Sequence, residues 1–151
     1  MARSRIYFVT DVHGSSKCFR KFLNAAKFYK ADVLILGGDI TGKVMTPIVE
    51  SDGKFSCTYQ GAELVMSNTD EVEAFRKKAA ESGTYTHLVS PSELKELEAN
   101  PDKVKDLFKQ LMVERVREWV SLAEERLGKT SVARRYRIEG QALAISQVTG
   151  T

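Results

Sequence analysis

Histidine and cysteine are scarce in this chain, with two of each in 151 residues. The cysteines, Cys18 and Cys57, have no metal-type or redox spacing, which excludes a disulfide framework and a cysteine zinc site. Cys18 falls near the buried side of an expected helix, where it reads as a small core residue. Charge of one sign is also in short supply. A net +3 gives no argument for nucleic acid or membrane as a partner. No apolar run approaches the ~18 residues of a membrane span. The run that follows the basic start is only about six residues long before Asp11, too short for a signal-peptide core. A cytoplasmic location is the expectation. Hydrophobic content of 42% and charged content of 28% suit one globular domain with one core.

What is present is concentrated early. Ile6 to Val9 is a short β-type run that leads into Thr10-Asp11-Val12-His13-Gly14. Val33 to Leu36 is a second run, and Gly37-Gly38-Asp39 follows it. In a strand, residues two apart share a face, so Asp11 and His13 are expected to point the same way. A carboxylate and a neutral imidazole on one side suit a divalent transition metal such as Mn, Fe, Co, Ni or Zn. Gly14 permits a sharp turn. Ser15 or Ser16 is then placed to cap a helix, whose N-terminus favours an anion. Between the runs, Phe19, Phe22, Leu23 and Ala26 keep a helical period. Residues 5–39 therefore read strand–helix–strand with parallel strands. Parallel strands open their carboxyl ends on one edge, where ligands bind in open α/β sheets.

Asp11-Val12-His13-Gly14 followed by Gly38-Asp39 resembles the opening of the calcineurin-like metallophosphoesterases. The family signature continues with G-N-(H/D), a lone His and G-H-x-H. The resemblance implies phosphomonoester or phosphodiester hydrolysis at two divalent metal ions, with a bridging water or hydroxide attacking phosphorus. It implies Asp11 and His13 as ligands of the first ion and Asp39 as the bridge between both. It covers about the first third of the chain, on two short motifs. The later motifs do not occur, and His87 has no motif around it. The fold expected is α/β: the N-terminal βαβ half of a metallophosphoesterase-like α/β/β/α sandwich, with a helical insertion and apparently incomplete. On that reading the chain is a truncated form, weak or inactive alone.

Four segments of a single domain follow. Residues 1–42 form the βαβ metal-site core. Residues 43–66 read as a hairpin, with Val44 to Glu50 and Phe55 to Gln60 as arms around Asp52-Gly53. Pro47 argues that the first arm is an edge strand or starts irregularly. The hairpin is either a rim that shapes substrate entry or a plain surface feature. Residues 67–128 read as a helical insertion. Asn68, Thr69 or Asp70 caps its first helix, and Tyr85 to Val89 is a loop or short extended piece. Ser90-Pro91-Ser92-Glu93 has capping-box spacing. Asn100-Pro101 opens a long helix that ends before Gly128. Its Met112 and Trp119 read more readily as core than as a partner groove. Residues 129–151 hold a possible third strand, Arg134 to Ile138, and an atypical tail. Gly140-Gln141 there falls short of the Gly-Asn ligand turn.

Two other readings stand beside the enzyme. One is a non-catalytic form that associates, with a homo-oligomer through the long helix. The other is a nucleotide-binding α/β domain, which Gly37 to Gly42 suits less well because the G-x-G-x-x-G and P-loop spacings are missing.

Overall fold

The computed structural model describes residues 3–127 and the backbone of 142–146. The described part is a mixed α/β fold with four helices and two sheets. The first sheet is built on strand β1 (Ile6–Val9), helix α1 (Ser16–Phe28) and strand β2 (Val33–Gly37). β1 and β2 pair in parallel, Ile6 against Val33 through Val9 against Leu36, as the strand–helix–strand pattern predicts.

α1 forms because its apolar residues recur at helical spacing and Ser15 caps it, its side chain accepting from Cys18 N. Phe19, Phe22, Leu23 and Ala26 are buried against Leu34 and Leu36. Cys18 departs from the expected core position and is exposed. It sits one residue, about 100° of helix, ahead of Phe19, off the edge of that buried stripe.

The second sheet contains β3 (Val44–Ser51), β4 (Lys54–Tyr59), β5 (Ala62–Met66) and β6 (Thr84–Val89), in the order β5-β4-β3-β6. The expected hairpin is present, and Asp52 and Gly53 both have positive φ, as a tight hairpin turn requires. A third strand extends it through a second turn of the same kind at Gln60-Gly61. Pro47 is not on an edge strand, since β6 pairs in parallel with β3 from Val44 to Val49. The β3–β4 ladder, however, spans only Val49 to Ser51. Pro47 lies past its end, where a missing N–H is tolerated. Tyr85 to Val89 is thus a strand, not a loop.

α2 (Thr69–Glu81) is capped by Asn68 and covers this sheet with Val72, Phe75 and Ala79. α3 (Pro91–Ala99) starts on the Ser90–Glu93 capping box with Pro91 in its first turn. α4 (Pro101–Leu127) is 27 residues, about 40 Å, long. It returns to the first sheet. Trp119 stacks on Phe19 with ring centroids 4.3 Å apart, and Ala123 joins the same core. Trp119 is therefore core, as its helical spacing suggests.

β7 (Ala142–Ser146) pairs antiparallel with β2 and completes the order β1-β2-β7. The third strand of this sheet thus falls in the stretch read as an atypical tail. Arg134 to Ile138 and Gly140-Gln141 lie outside the described residues, as does Gly128. α1 covers one face of this sheet, and α4 packs against α1. On the other face of β1, Ile6 and Phe8 are each 60% exposed. Among the described residues no helix is long and apolar enough to cross a membrane.

Candidate metal centre

Beyond the last paired residues of β1 and β2, the two chains stay side by side. Asp11 N donates to Gly38 O, His13 N to Asp39 O and Gly14 N to Ile40 O, at 3.2, 3.1 and 2.7 Å. These three bonds carry the two loops out of the sheet in register. They bring together the three residues singled out in the sequence. One ligand atom from each of Asp11, His13 and Asp39 lies within 4.8 Å of the others.

The route to that convergence differs from the one expected. Asp11 and His13 do not share a face through strand alternation, because β1 ends at Val9. They converge through left-handed backbone. Asp11, His13 and Asp39 have φ of 59°, 47° and 39°, and Gly14 and Gly38 have 73° and 53°. Asp and His enter this region more readily than bulkier residues, yet each such residue costs of order 1–3 kcal/mol. Three of them in one cluster is the kind of strain that collects at functional sites.

His13 Nδ1 is 3.3 Å from Asp39 Oδ2, and His13 Nε2 is 3.9 Å from Asp11 Oδ1. Asp11 and His13 are exposed and Asp39 is partly buried. Two groups missed in the sequence complete the cluster. Thr10 Oγ1 donates to Asp11 Oδ2 at 2.7 Å, which fixes that carboxylate. Lys43 Nζ donates to Asp39 Oδ2 at 2.7 Å. The Lys43 hydrogen bond is the main reason the Asp39 carboxyl is held below the usual carboxylate range. Partial desolvation opposes it, and the charges of His13 and Lys43 add to it. Lys43 stands four residues after Asp39, past the Gly42 turn, with no sequence motif to single it out.

The site is braced from behind by close backbone contact. A Cβ on Gly83 would stand 2.0 Å from His13 O, and one on Gly42 would stand 2.1 Å from Gly83 O. Glycine at 42 and 83 lets three loops meet directly under His13. Ser15 Oγ donates to Glu81 O, and Gly42 N donates to Tyr85 Oη, so the second sheet and α2 hold these loops from below. His87 stands apart, paired with Pro47 in the sheet register, and is not in the cluster.

The donor set fits one divalent transition ion: two carboxylates and an imidazole on adjacent loops. It does not fit two. Among the described residues this is the one three-ligand group of His, Cys, Asp and Glu. Comparison with protein-family models, curated proteins and solved structures finds no match to this chain. Its class is therefore defined by its own geometry, a mixed α/β fold with an Asp–His–Asp cluster where two parallel strands end.

Proposed function

We propose that the chain is a metal-dependent phosphoesterase of the calcineurin-like type, with an α/β sandwich core, acting on a phosphomonoester or phosphodiester. The observation that carries this is the convergence of Asp11, His13 and Asp39 at the carboxyl ends of two parallel strands. Those three residues would hold the ion. When bound, such an ion polarises phosphoryl oxygens and acidifies a water molecule.

The chain's own groups support that chemistry. Thr10 holds one oxygen of Asp11 and leaves the other facing His13. The backbone bonds between the loops keep the ligands in place before any ion arrives. α1 begins two residues after Gly14, and a helix N-terminus favours a phosphate. The test is hydrolysis of bis(p-nitrophenyl) phosphate with added Mn²⁺. Activity is expected to vanish with chelator and with Asp39→Asn. Rates unchanged by either would sink the reading.

A second reading is favoured by the open face of β1. Ile6 and Phe8, both exposed there, suit a chain that works by association with another copy. Sedimentation decides it: a monomer at micromolar concentration counts against association.

A further inference from the structure

The small net charge of the chain hides an uneven distribution. Residues 1–31 carry seven Lys and Arg against one acidic residue, Asp11. Four of these cations lie on α1, which has no Asp or Glu. Arg20 is paired with Glu81 at 2.7 Å. Lys17, Lys21 and Lys27 are exposed and have no ion-pair partner among the described residues. Lys17, Lys21, Asn24 and Phe28 fall at i, i+4, i+7 and i+11, so they form one outward stripe opposite the buried Phe19, Phe22 and Ala26. The stripe is ~16 Å long. Lys27 flanks it, and Arg126 of α4 joins it by donating to Asn24 Oδ1 at 3.3 Å.

Phe28 closes the stripe and is 79% exposed. Its ring is braced from behind. It packs edge-on against Tyr29 at 4.8 Å, and Tyr29 stacks on Tyr7 at 5.3 Å. A supported aromatic ring thus stands in water at the end of a row of unpaired cations.

We propose that this outward face of α1 binds single-stranded nucleic acid, with the cations following the phosphates and Phe28 stacking on a base. Neutralised phosphates supply most of such binding, and a ring accepts a base of any sequence on its face. A lipid surface fits less well. The other exposed apolar pair, Ile6 and Phe8, lies on the far face of β1 and cannot join Phe28 in one insertion surface. The binding face stands on α1 and Arg126 alone and does not rest on the metal reading.

The test is fluorescence anisotropy of a short labelled oligo-dT titrated with the full chain in EDTA. Binding is expected to weaken as salt rises. Phe28→Ala weakens it by about tenfold, as for one stacked base. Lys21→Ala combined with Lys27→Ala lowers the slope of log affinity against log salt by about 1.4, from ~0.7 per phosphate contact on a single strand. Lys77→Ala combined with Lys78→Ala, both exposed on α2, changes neither quantity. No binding of the oligonucleotide overturns the inference. So does binding that Phe28→Ala and the α1 lysine pair leave untouched, or capture of phosphatidylserine vesicles in place of the oligonucleotide. The chelator keeps ions out, so each of these outcomes leaves the phosphoesterase reading standing.

Discussion

Arg115 Nη1 lies 3.1 Å from the carbonyl oxygen of Gly14, across 101 positions of chain. The same guanidinium reaches Ser16 Oγ at 3.3 Å and Ala80 O at 3.4 Å, and it lies over the Tyr85 ring at 5.4 Å. Its side chain is only 12% exposed. One residue of α4 therefore ties the Gly14 turn, the start of α1, the end of α2 and the second sheet. Planar guanidinium geometry suits such a junction, and a lysine would not reproduce it.

Arg115→Ala should lower the free energy of unfolding by about 2–3 kcal/mol, as expected when charge-assisted bonds to partly buried acceptors are lost. Urea unfolding checks this. A loss under ~0.5 kcal/mol would mean that α4 does not hold the Gly14 turn.

The contact beneath His13 makes a second prediction. Gly83 has φ +87°, and a Cβ there would collide with His13 O. Gly61 has φ +81° with nothing within 4 Å of its Cβ position. Gly61→Ala should cost about 1–2 kcal/mol, the left-handed backbone alone. Gly83→Ala should cost at least ~2 kcal/mol more, and it should also weaken Mn²⁺ binding by displacing His13. Equal losses for the two variants would show that the close approach is unimportant.

Asp39 gives a prediction in pH. Its carboxyl is held below the usual range, mainly by the Lys43 hydrogen bond. The folded state thus favours the charged form. The stability this contributes is full above the ordinary carboxylate range and fades as pH falls through the lowered folded value. Carbon-detected NMR titration of metal-free protein, with chelator present, should find Asp39 titrating below a normal aspartate. Lys43→Ala should move it back up. A midpoint unmoved by that substitution would exclude Lys43 as the cause.

The parts of this fold that were legible in the sequence are those with local causes. The apolar runs before Asp11 and Asp39, the Phe19–Phe22–Leu23–Ala26 stripe and the Ser90–Glu93 box all depend on neighbours within a turn or two. The structure reproduces each. What was not legible is non-local. β6 pairs with β3 in parallel, about 40 residues upstream, and nothing in Thr84 to Val89 names that partner. β5 was hidden because Gln60-Gly61 makes a turn usually signalled by Asn-Gly or Asp-Gly. β7 was hidden because Ala142 to Ser146 is short and bland and joins β2 from the far end of the chain.

The three clustered residues were legible by residue type and order, but their geometry was not. Strand alternation was the wrong cause, because the left-handed φ of Asp11, His13 and Asp39 arises from loops zipped together beyond the sheet. Lys43 escaped notice because a lone lysine after a turn has no signature. Its meaning comes only from the 2.7 Å to Asp39.

The most direct test of the metal centre is Mn²⁺ titration of the full chain beside His13→Ala. Removing a group that merely supports a ligand costs ~10–100-fold in metal affinity, so removing a ligand should cost at least ~100-fold. The account predicts saturable binding in the wild type and that scale of loss in the variant. Equal affinity in the two proteins would contradict it, and the Asp11–His13–Asp39 cluster would not be a metal site.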